Sequence, residues 1–144
     1  LRGQKAVKSL RPTTATKFHI DMGWWEKQNK DIRVFMRDLL CAECKERLAS
    51  QPGSPMVDMI DPETAEVTRV DALWEAIRAC CSNRPGYLTP ETPILDGIFR
   101  VFLANGNKPL SAQQLHERLE KRPADVILRM LTRGQVYLGI KPVE

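Results

Sequence analysis

From residue 92 onward, turn-forming residues recur at short intervals, and the stretches between them are apolar at helical spacing. Ile94, Leu95, Ile98, Phe99, Phe102 and Leu103 sit at the i, i+3, i+4 positions of one helix face, and Asn105-Gly106 stops that run. Thr92-Pro93 opens it, with proline expected at the first helical position. Asn-Lys-Pro (107–109) leads to Ser111-Ala-Gln-Gln114, a capping box in which Gln114 stands at the reciprocal position. The short helix that follows turns Leu115 and Leu119 inward. Arg122-Pro123 starts a further helix with Ala124, Ile127, Leu128 and Leu131 on its buried stripe, ending near Gly134. Val136, Leu138 and Ile140 alternate, so residues 135–142 are expected to form a short strand.

The same punctuation appears upstream with different content. Asp31 is an expected N-cap for a helix to about Ser50, with Ile32, Phe35, Met36, Leu39 and Leu40 as its stripe and Cys44 and Leu48 extending it. Gln51-Pro-Gly-Ser-Pro55 ends it. Residues 56–60 (MVDMI) and 66–70 (EVTRV) flank the turn DPETA and predict a β-hairpin. Asp71 caps a helix to about Cys81, with Leu73, Trp74, Ile77 and Cys80 or Cys81 facing inward. Trp24 and Trp25 carry too much apolar surface to leave in water, and a buried indole N–H is expected to find a carbonyl. The fold class is therefore mainly α with small β elements (α+β): a helical body with a β-hairpin, plus a C-terminal helix-turn-helix unit. Three regions are expected, a basic arm (1–17), the body (18–91) and the C-terminal unit (92–144).

The order of helix, short helix, helix and strand over residues 92–143 resembles the winged-helix variant of helix-turn-helix. GIFRVFLANGNKPLSAQQLHERL is similar in particular to the HARE-HTH group, where a helix is followed by KPLS or KPLT and a short capped helix. The resemblance implies a nucleic-acid-associated, transcription-related role or, equally within such folds, a scaffold for protein partners. It makes Pro123–Thr132 the reading helix, with Lys121, Arg122, Arg129, Thr132 and Arg133 as nucleic-acid contacts and Lys141 in the wing; Asp125 would oppose phosphate. One departure from the family is plain. Few residues follow Ile140, so the wing is either reduced or completed by a strand from elsewhere, such as the segment before Ser111 or the hairpin at 56–70.

Charge sharpens the division. The net charge is +4. Residues 1–17 hold five bases and no acid, residues 18–91 nine bases and thirteen acids, and residues 92–144 eight bases and five acids. The arm is a solvated tail, a set of phosphate contacts, or a transit peptide. No apolar run reaches the ~18 residues of a bilayer span, and the sequence shows no phosphate-cradling glycine loop or serine elbow, so a non-enzymatic role is expected.

The only concentration of site chemistry is Cys41-Ala-Glu-Cys44 with Cys80-Cys81. Four thiolates suit a tetrahedral zinc ion, and His19 stands as the alternative fourth ligand if only one of the vicinal pair turns inward. Buried free thiols, a disulfide or redox pair, and an iron–sulfur cluster remain open alternatives. Against redox use, Cys41 is expected about ten residues into its helix, away from the dipole that would activate it. Thin cysteine content without a signal-peptide core points to a reducing, cytoplasmic setting. Partners are expected to be nucleic acid or protein, with no membrane and no small-molecule substrate.

Overall fold

A computed structural model describes residues 11–49 and 55–144. Among them are seven α-helices and five short strands, the mainly helical α+β class expected. Strand β1 (Lys17–Ile20) leads into α1 (Met22–Lys27), α2 (Ile32–Leu39) and α3 (Ala42–Ala49). Strands β2 (Met56–Ile60) and β3 (Val67–Asp71) precede α4 (Ala72–Ala79) and a 3-10 turn at Cys81–Asn83. Then come α5 (Ile94–Ala104), β4 (Leu110–Ser111), α6 (Ala112–Leu119), α7 (Ala124–Thr132) and β5 (Ile140–Pro142). No helix among the described residues is long and apolar enough to cross a membrane.

Local chemistry sets most boundaries. Asp31 and Asp71 cap α2 and α4 by accepting from the backbone N–H of Arg33 and Leu73. The capping box forms in full: Ser111 Oγ accepts from Gln114 N at 3.2 Å, and Ser111 N donates to Gln114 Oε1 at 2.9 Å. Ser111→Ala should cost about 1 kcal/mol; a denaturation midpoint unchanged from wild type would contradict it. Pro93 and Pro123 lie at the N-caps of α5 and α7, one position earlier than expected. Thr92, displaced from capping, accepts from Thr89 N. The hairpin forms as expected, from Met56↔Asp71 to Ile60↔Val67, and the Asp61 side chain accepts from Glu63 N in its turn.

Two elements differ in extent from expectation. The strand expected over residues 135–142 forms only at its C-terminal end, 140–142, because Leu138 (φ 51°) and Gly139 (φ 81°) adopt left-handed backbone that breaks extended structure. The helix expected from 31 to about 50 is two helices. Leu40 is extended (φ −67°, ψ 139°), and α3 starts after Cys41. The expected helix end at Ser50 and most of the following turn lie outside the described residues, as do Arg2, Lys5 and Lys8 of the basic arm.

The C-terminal sheet is completed from the far end of the chain. Its order is β4-β1-β5, both pairings antiparallel, with Phe18 opposite Leu110 and His19 opposite Lys141. Phe18 and Ile20 alternate with His19 and point into the core. Beyond the β4 pairing, the Asn107 side chain continues the ladder: its Oδ1 accepts from Ile20 N at 2.8 Å and its Nδ2 donates to Ile20 O at 2.9 Å. Lys17, assigned to the arm from sequence, is therefore a sheet residue. One cluster of buried side chains runs from Phe18 through Trp25, Met36, Cys44, Ile77, Phe102, Leu115 and Ile127 to Ile140. Residues 92–144 thus share their sheet and their core with chain from outside that range.

One tryptophan of the pair is buried as expected, but the hydrogen bond expected of its N–H does not form among the described residues. Trp25 is buried, packed edge-on against Trp24 and Phe35, yet its Nε1 has no hydrogen-bond partner among the described residues. The indole that does find a carbonyl is Trp74, which donates to Leu103 O at 3.0 Å.

Candidate functional site

The break between α2 and α3 places Cys41 immediately before the first turn of α3. Its carbonyl accepts from Lys45 N, and the backbone N–H of Cys44 points at its sulfur. The C-x-x-C pair therefore sits on a helix N-terminus, not ten residues into a helix as expected. Nothing in the pattern announces the break, since Met36, Leu40, Cys44 and Leu48 keep a spacing of four across it.

The second pair arrives from the end of α4. The helix stops at Ala79, and Cys80 takes a non-helical conformation (φ −127°, ψ −64°). That twist leaves Cys80 half-buried and drives Cys81 into the core at 1% exposure. The sulfurs of Cys41, Cys44 and Cys80 all lie within 4.8 Å of one another, a spacing at which three thiolates can share one metal ion. Cys41 Sγ is 3.9 Å from Cys80 Sγ and 3.6 Å from Cys81 Sγ. Cys81 Sγ also accepts from Cys41 N at 3.2 Å. All four cysteines are free.

The surroundings divide the thiols electrostatically. The Cys44 backbone N–H, directed at its sulfur, holds the Cys41 thiol down to about 6. Burial pushes Cys44 up, and burial pushes Cys81 up to about 12. Two guanidiniums flank the cluster: Arg47 lies 3.4 Å from Cys44 Sγ, and Arg84 lies 3.7 Å from Cys80 Sγ and 3.4 Å from Glu43. In metal-free protein, Cys41 should be the first cysteine alkylated by iodoacetamide at neutral pH, with a rate that rises through about pH 6. Peptide mapping that finds Cys80 labelled as fast as Cys41 would contradict this.

His19 does not join the cluster. It lies in the central strand of the C-terminal sheet, opposite Lys141. The six residues expected to contact nucleic acid fall into two groups. Lys121 donates to the carbonyls of Pro90 (3.0 Å) and Thr92, Thr132 Oγ1 bonds back to Leu128 O at 2.8 Å, and Lys141 pairs with Asp21 at 3.3 Å. Arg122, Arg129 and Arg133 are exposed, and among the described residues no carboxylate lies within ion-pair distance of them. Exposed Asp125 shares their surface four residues before Arg129.

Comparison with family models, with curated proteins and with solved structures returns no match.

Proposed function

We propose that the chain is a non-enzymatic, zinc-stapled winged-helix module that docks on duplex nucleic acid through α7. The observation that carries the docking is the trio Arg122, Arg129 and Arg133, exposed around one helix and without acidic partners among the described residues. Uncompensated arginines stay available to phosphate oxygens and can fork to guanine. The winged-helix reading draws support from the order α5, β4, α6, α7, β5, with β1 supplying the strand that residues 92–144 lack. The zinc staple draws support from the three converging sulfurs of Cys41, Cys44 and Cys80. Zinc held there would tie the start of α3 to the end of α4.

Three phosphate contacts imply a slope of about −2.7 in log affinity against log salt, or roughly a 40-fold loss between about 50 and about 200 mM. Binding of mixed-sequence duplex at these two salt concentrations should show that loss, and Arg129→Glu with Arg133→Glu should abolish binding while leaving the thermal midpoint in place. Salt-independent binding, or full binding by the double variant, would overturn the reading.

A protein–protein adaptor is the second reading, and the hairpin favours it. Met56, Ile60 and Val67 are 50%, 56% and 57% exposed and share one face of β2 and β3. A partner captured by the wild type and lost by Ile60→Glu with Val67→Glu, in a chain that does not bind duplex, would establish the adaptor instead.

A further inference from the structure

We propose that Cys41, Cys44 and Cys80 are the only protein ligands of the metal, and that its fourth coordination position takes a small external thiol. This rests on the zinc reading above. Tetrahedral zinc with Zn–S bonds of ~2.3 Å sets its sulfurs ~3.8 Å apart. The 3.9 Å between Cys41 and Cys80 meets that spacing, and Cys44 lies within 4.8 Å of both. Cys81 lies closer still to Cys41, at 3.6 Å, and also faces Cys44, but it falls outside the set in which every sulfur is within 4.8 Å of every other. It follows Cys80 directly in the chain, and the turn that presents Cys80 to the cluster sends Cys81 into the core, where its sulfur accepts the Cys41 N–H.

No further His, Asp or Glu joins the cluster among the described residues. The residues outside them, 1–10 and 50–54, contain no His, Cys, Asp or Glu at all. The fourth ligand therefore comes from solution. Cys41 and Cys80 are part-exposed while Cys44 is buried, so the set opens towards water.

The rim selects the class of ligand. Three thiolates on a dication leave one net negative charge; Arg47 and Arg84, at 3.4 and 3.7 Å from ligand sulfurs and with Glu43 paired to Arg84, bring the site to neutrality. A fourth anion is thereby tolerated, and among small anions a thiolate matches the metal's preference for sulfur. On binding, the thiol gives its proton to solvent, its sulfur bonds to the metal, and the water that held the position leaves. No electron is transferred.

Cobalt(II) tests this, because its thiolate charge-transfer intensity counts bound sulfurs and its d–d bands report coordination. The full chain, reduced with a phosphine and free of added thiol, should load with three thiolates' worth of intensity. Cys81→Ser should give the same spectrum. Titration with 2-mercaptoethanol should raise the intensity to four thiolates' worth and shift the d–d bands, in both proteins. A wild-type spectrum already at four thiolates and unresponsive to 2-mercaptoethanol would overturn the inference and leave the metal reading standing. Absence of cobalt uptake would overturn both.

Discussion

Gly139→Ala is expected to lower the stability of the fold by about 3 kcal/mol, while Gly134→Ala costs about 1. Both glycines have left-handed backbone, with φ of 81° and 69°, so both substitutions carry the strain of an L side chain in that region. They differ in surroundings. A Cβ on Gly134 meets nothing within 4 Å. A Cβ on Gly139 would lie 2.7 Å from Trp25 Nε1, 3.1 Å from its Cδ1 and 3.3 Å from Asp21 O. The indole cannot retreat, because it is 2% exposed and held between Trp24, Phe35 and Phe99. Nor can the backbone, since Gly139 O accepts from Asp21 N at 2.7 Å, at the N-cap of α1. The close approach joins the turn before β5 to the first helix, so the clash would strain both ends of the chain together. Urea denaturation of the two variants measures the difference directly. Equal losses would show that Trp25 does not wedge against this turn.

Removal of the proposed metal should be the second large effect. An ion that binds the folded chain and not the unfolded one stabilises it by about 4 kcal/mol at a thousandfold excess over its dissociation constant. For a chain of this size that corresponds to roughly 8–16 °C in thermal midpoint. Chelation should lower the midpoint by that amount, and one equivalent of zinc should restore it. Cys44→Ser should lie near the chelated wild type and gain nothing from zinc, since its buried sulfur is the innermost of the three. Cys81→Ser should still gain from zinc. A midpoint indifferent to both chelator and zinc would mean that the sulfurs pack as apolar core and nothing more.

What the chain discloses before folding is local. The hairpin, the aspartate caps and the capping box at Ser111 each depend on residues a few positions apart, and each appears as expected. The break at Leu40–Cys41 was hidden because a thiol, absent from the usual capping residues, opens α3 while the spacing of four continues across it. The exit of α4 decides which vicinal cysteine faces its counterparts, and no glycine or proline marks that turn. The central sheet strand is the least local element. Its signal, Phe18 and Ile20 alternating about His19, lies in the sequence, but its partners are more than 90 residues away, in the pairing with Leu110 and Ile140. Side-chain commitments were equally non-local. Lys121 and Lys141 look available to phosphate until carbonyls and Asp21 are found beside them.

The proposed staple and the proposed open coordination position both depend on a bound metal. The most direct measurement is elemental analysis of the full chain, expressed and purified without chelator or affinity metal. The account predicts one zinc per chain in the wild type and close to none in Cys44→Ser. Zinc far below one equivalent in a folded wild-type protein, with four thiols titrating freely, would contradict it.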